Sequence, residues 1–206
     1  MLEGNTGAGP RWERPYARTA VVPDLRSVHS LHYLRRKVLQ ALRQDFDARC
    51  CYCTGSEFER GGVEQFDVEH LRPKSKFPDL QLNYANLYYA CRACNVQKGE
   101  EWPQPSTAAR RFVDPCEEAL YPTYLKIGGG GVLSAEKPPG EYLLSVFGFN
   151  SREQVRRTFV WRYLKGEACA AAGSGDPNRI RAALQALQEF ERSLDSDKPP
   201  SDQSAL

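Results

Sequence analysis

The chain has 206 residues and a formal net charge of +2, with 26% charged and 41% hydrophobic residues. That length suffices for one domain or for a compact module with additions, and the near-neutral balance excludes a protein that gathers polyanions by bulk electrostatics alone. Seven cysteines, an odd number, speak against a secreted disulfide framework, and no apolar stretch approaches the ~20 residues of a membrane span. A reducing, cytoplasmic setting and no membrane role are therefore expected.

In chain order, residues 1–26 read as an extended arm, punctuated by Gly4, Gly7, Gly9, Pro10, Pro15 and Pro23. Trp12 and Tyr16 lie among Arg11, Arg14 and Arg18, a mixture that suits either a solvated arm or a docking strip. Residues 27–49 predict a helix, because Leu31, Leu34, Val38, Leu42 and Phe46 fall on one stripe. His29 and His32 on its first turn read as exposed polar residues. A zinc-containing module follows over 50–102, then a mixed loop and helical region over 103–194, then a polar tail over 195–206.

In that third region Asp114-Pro115, Tyr121-Pro122, Gly128–Gly131 and Pro138-Pro139-Gly140 predict loops and short strands. The glycine run lacks a following Lys-Ser/Thr, so it reads as a hairpin turn or plain loop and not as a phosphate cradle. Ser151-Arg152-Glu153-Gln154 predicts a capping box, opening a helix to about Lys165 that buries Val155, Phe159 and Leu164. Asp176-Pro177 opens a last helix with Ile180, Leu184, Leu187 and Leu194 on a stripe. That stripe either closes the core or docks a partner.

The chemistry is concentrated in the middle. Cys50-x-x-Cys53 and Cys91-x-x-Cys94 have the spacing of a four-thiolate structural zinc site, each knuckle giving two sulfurs from one tight turn. Cys51 reads as a bystander, and Cys116 and Cys169 as ordinary small residues. Between the knuckles, Gln65–Glu69 alternates as a strand ending at His70, with Asp67 and Glu69 on one face and His70 on the other. Arg72-Pro73 ends that strand and a long loop leads to Asn86. Leu87-Tyr88-Tyr89 gives a second strand, and a helix starts at Asn95. Residues 46–102 carry seven basic and nine acidic side chains, so attraction of a polyanion must come from local patches or from a partner.

The order Glu69-His70, Asn86-Leu87, Cys91-x-x-Cys94-Asn95-x-x-Lys98-Gly99 resembles the HNH endonucleases of the ββα-metal fold, in the variant whose third position is asparagine. The fold class implied is α+β: a small zinc-stapled ββα-metal HNH module with flanking α-helices. Val68–Ser75, Phe112–Pro115 and Val146–Asn150 extend the likeness to the HNH subunit of Septu-type and retron-associated antiphage systems, which implies an SMC- or ABC-like ATPase as partner. The resemblance implies hydrolysis of nucleic-acid phosphodiesters, DNA favoured and RNA possible. His70 would be the general base, Asn86 would orient it through the backbone or its ring, and Glu69 and Asn95 would ligate a catalytic Mg2+ or Mn2+. Arg72, Lys74, Lys76 and Lys98 are expected to contact phosphate. The alternative is a non-catalytic zinc-ribbon adaptor, which has no need of His70, Asn86, Asn95 and Lys98 together.

Overall fold

The computed structural model describes residues 13–22, 25 and 31–196. Expectations for Arg11, Trp12, His29, the start of the first helix and most of the polar tail lie outside these residues. Helix α1, Leu31–Asp45, buries Val38 and Leu42 of the expected stripe, with Phe46 just beyond its end. The arm packs against that end. Tyr16 is buried, its N–H donates to the Pro115 carbonyl at 2.9 Å, and its ring lies 4.7 Å from Phe46. Asp45 accepts the N–H groups of Thr19 and Ala20 at 2.7 Å each. Residues 15–20 have no regular structure, yet these bonds tie them down as a strap across the fold.

A tight turn carrying the first knuckle leads to α2, Glu57–Arg60, whose Ser56 and Glu59 form a reciprocal capping box. Strands β1, Phe66–His70, and β2, Leu87–Cys91, pair antiparallel with Phe66 opposite Cys91 and His70 opposite Leu87. Helix α3, Arg92–Lys98, starts directly after β2, three residues before the predicted start. The second knuckle explains the difference: one helical turn sets residues i and i+3 side by side, which is what Cys91 and Cys94 require.

The hairpin β3, Leu125–Ile127, and β4, Leu133–Ala135, turns on the glycine run, as expected. Gly131 sits there at φ +73°, and a Cβ on it would lie 2.4 Å from the Val160 backbone, so the helix that carries Val160 packs hard against this turn. The predicted loop at Pro138 is instead helix α4, Pro138–Phe147. Proline is at home in a first helical turn, and Tyr142, Leu143 and Phe147 give the segment a buried face. Gly140 lets α4 close on β3, since a Cβ there would meet the Tyr124 carbonyl at 2.0 Å.

Helix α5, Glu153–Ser174, runs well past the predicted end and has Arg152, without a side-chain cap, at its start; Ser151 bonds the Gly148 carbonyl, so no capping box forms. Val155 and Phe159 are fully buried and Leu164 half-buried. Helix α6, Pro177–Ser196, opens with Asp176 accepting from the Asn178 N–H and packs along α5. No described residue of α6 is buried, and Leu184 is 54% exposed. One hydrophobic core runs from Tyr16 to Phe159. An aromatic series Trp102, Phe112, Phe147, Phe149 and Phe159, with successive centroids 5.0 to 6.2 Å apart, crosses it. Among the described residues no helix is long and apolar enough to cross a membrane.

Candidate active site and metal centre

The sulfurs of Cys50, Cys53, Cys91 and Cys94 lie within 4.8 Å of one another, all four residues buried. Tetrahedral thiolates at ~2.3 Å from zinc stand ~3.8 Å apart, and Cys53 Sγ is 3.8 Å from Cys91 Sγ. The four thiols fit a structural zinc ion, closed on all sides. Two arginines that sequence reasoning passed over complete this centre. Arg60, 4% exposed, donates to Cys53 Sγ at 3.1 Å. Burial alone would lower the pKa of its guanidinium, but the thiolates of Cys53, Cys91, Cys94 and Cys50 raise it, so it stays charged against their field. Arg162 reaches from α5 to the Thr54 carbonyl and hydroxyl, to the Cys53 carbonyl at 3.4 Å and to Glu59 at 3.5 Å. Arg60 had a local signal, a cation seven residues after Cys53; Arg162 had none.

The sheet register brings the end of β1 beside the start of β2, and Asn86 fastens the segment after His70. Its side-chain oxygen accepts the Arg72 N–H at 2.9 Å, and its amide donates to the carbonyls of Arg72 at 3.0 Å and Leu80 at 3.3 Å. The Leu71 N–H donates to the Asn86 carbonyl at 3.1 Å. Asn86 thus meets the backbone beyond His70. His70 itself is half-buried, with Nε2 3.0 Å from the Gln81 carbonyl. A carbonyl only accepts, so Nε2 carries the proton and Nδ1 keeps its lone pair. Burial, then the charges of Lys74 and Lys98, hold the imidazole below the ordinary histidine range and keep it neutral near pH 7. Arg72, Lys74 and Lys76 are all exposed on the loop that follows.

Glu69 and Lys98 do not meet expectation. Glu69 is on the face opposite His70, as the alternation predicts, but only 4% exposed. Its Oε1 is 2.7 Å from Lys98 Nζ and accepts from the Tyr52 hydroxyl at 3.2 Å. Lys98 Nζ also donates to the His70 carbonyl at 2.9 Å, with no side-chain exposure left. A lysine so enclosed touches no phosphate; its role is corrected to that of internal counter-ion. The carboxylate it covers is likewise not the open ligand that a hydrated Mg2+ or Mn2+ needs, so Glu69 in this arrangement does not fit that ion. Asn95 is half-buried on α3, one turn before Lys98. Burial, against the opposing pull of Lys98, leaves the Glu69 carboxyl above the usual carboxylate range.

Residues 50–101 match the HNH endonuclease family. The matched span begins at the first thiolate and ends just past α3, so it holds both knuckles, His70, Asn86 and Asn95. The chain also resembles the Septu protein PtuB of Bacillus thuringiensis, at 36% identity over 59 residues, which is 29% of this chain and 22% of that protein. The similarity thus spans about a fifth of the relative's length. No solved structure matches the chain.

Proposed function

We propose that this HNH module is a nuclease that hydrolyses nucleic-acid phosphodiesters, DNA in preference to RNA, in an antiphage defence complex. The observation that carries the reading is the setting of His70: its Nε2 proton is held by the Gln81 carbonyl, which leaves the Nδ1 lone pair for a proton, and it ends β1 just before a loop of three exposed cations. In the reaction His70 Nδ1 takes a proton from water as the oxygen attacks phosphorus; the bond from phosphorus to the leaving sugar oxygen breaks, and that oxygen takes a proton from solvent. Asn86 is the positioning residue, holding the segment after the base. Arg72, Lys74 and Lys76 bind the flanking phosphates. In nucleases a divalent cation supplies further stabilisation at the phosphate; Glu69, closed by Lys98, is not an open ligand for it.

A partner ATPase fits the resemblance to a Septu protein and the weak net charge, which leaves capture of the polyanion to another subunit. The exposed Leu184 of α6, together with the stacked Trp161–Phe190 pair of α5 and α6, is the proposed contact. One observation favours the adaptor alternative: the buried Glu69–Lys98 pair is what a purely structural zinc module would carry. Nuclease assays with added Mg2+ or Mn2+ decide between them. His70→Ala is expected to lose about 10²- to 10⁴-fold in rate with unchanged zinc content. Cleavage by His70→Ala at the unsubstituted rate would return the adaptor to first place.

A further inference from the structure

The far side of the segment after His70 is not solid. A cleft of about 320 Å³ separates it from the chain that leaves α3, lined by Arg72, Asn83, Trp102, Arg111, Asp114 and Glu117 among others. Trp102 is stacked on buried Phe112 at 5.7 Å and 12°. The Arg72 guanidinium lies 5.8 Å from the Trp102 ring and 6.0 Å from that of Phe77. Among the described residues no ion pair engages Arg72, and it is exposed. Phe112 and Trp102 are thus stacked, and the Arg72 guanidinium stands by the Trp102 and Phe77 rings as an exposed planar cation.

Arg72 and Arg111 line the cleft with Asp114 and Glu117, and Arg111 is already paired with Glu118 at 2.8 Å, so the cleft offers no excess of positive charge. A phosphate would gain little net attraction inside. A neutral, flat group with donors and acceptors on its edge is better matched: it stacks on the guanidinium plane and bonds the amide and carboxylates. Those are the properties of a nucleobase, and guanidinium and aromatic planes are the usual platforms for unpaired bases. The cleft also shares its wall with Asn86, so a nucleotide seated there trails its phosphates along Arg72, Lys74 and Lys76 towards His70.

We infer that this cleft is a nucleobase subsite, and that the substrate presents an unpaired nucleotide beside the bond to be cut. A base held in a paired, stacked duplex cannot enter a side pocket without being extruded. This rests on the nuclease reading for the position of the cut, but the binding itself is separable. The test measures fluorescence anisotropy with full-length, zinc-loaded His70→Ala protein, which removes cleavage. The probes are a labelled single strand, the matched duplex and the duplex with one extrahelical base, each as DNA and as RNA.

The strand and the bulged duplex, in at least one sugar, are expected to bind about tenfold or more tighter than the matched duplex, as one stacked base allows. Ala85 lines the cleft and is exposed, and its bonds to Asn83 and Arg18 run through its backbone. Ala85→Trp should therefore plug the subsite while keeping the fold, and should erase the preference. Zinc content and thermal midpoint check the fold, and Glu117→Ala, at an exposed lining residue, gives a second route to a weakened preference. Equal binding of paired and unpaired probes, binding of neither, or a preference untouched by both substitutions overturns the inference. If the preference is present but the unsubstituted protein cuts nothing, the nuclease reading fails and the subsite stands.

Discussion

The thiolate centre and the basic loop are handled in opposite ways, though they belong to one module. Around the four cysteines the two central cations are buried and answered: Arg60 faces the sulfurs, and Arg162 ties the knuckle backbone to α5. Along 72–76 three cations stand exposed, and the loop is held at its root by Asn86 and at Ser75, whose hydroxyl donates to Glu100. Enclosed charges with fixed partners specify one structure, whereas open charges stay available for a ligand. Stability belongs to the first region, and recognition is what we propose for the second. Glu69 lies between Cys53 and the basic loop in the chain, but its pair with Lys98 behaves like the first region, which is why it departs from its predicted role.

The comparison breaks most visibly at the metal. Removing zinc with a chelator, or Cys50→Ser, should unfold the module outright, because structural zinc contributes on the order of 10 kcal/mol or more to such folds. Far-ultraviolet circular dichroism read beside zinc content checks this; a folded, zinc-free chain would contradict it. Next in size is Lys98→Met, which leaves Glu69 buried and unpaired at a cost of about 3–5 kcal/mol. The thermal midpoint should fall by on the order of 10 °C, with Lys98→Met/Glu69→Leu recovering much of it. Glu69 binds its proton more tightly folded than unfolded. The stability this lends is therefore present at low pH and lost as pH rises through the folded pKa, and the single variant's deficit should shrink on acidification.

A smaller effect concerns pH and rate. Because His70 titrates below the ordinary histidine range, the acid limb of kcat/KM should fall below ~6.5. Lys74→Gln, removing one of the charges that depress it, should move that limb upward; an unmoved limb would mean that another group sets it. The smallest expected change is Leu184→Gln on the open edge of α6, within about 0.5 kcal/mol by thermal melting. Co-purification with a partner ATPase is the sharper readout there, and a large loss of stability would show that α6 belongs with the enclosed region instead.

Local spacing determined much of this protein by itself. Two Cys-x-x-Cys turns, a strand ending at His70, a second strand from Leu87 and the Asp176-Pro177 helix start all depend on neighbours within a few residues, where periodicity and turn chemistry act. The opposed faces of Glu69 and His70 follow from the twofold repeat of a strand. Tertiary structure alone decided who answers whom. Arg162 meets Thr54 across a separation of 108 residues, the Gln81 carbonyl selects the His70 tautomer, Lys98 turns from a phosphate ligand into a counter-ion, and the cleft takes one wall from Arg72 and another from Trp102 to Glu117. Sequence pattern records that a residue is charged or flat. Burial and the choice of partner, which set the energy of that charge, exist only once distant segments are packed together.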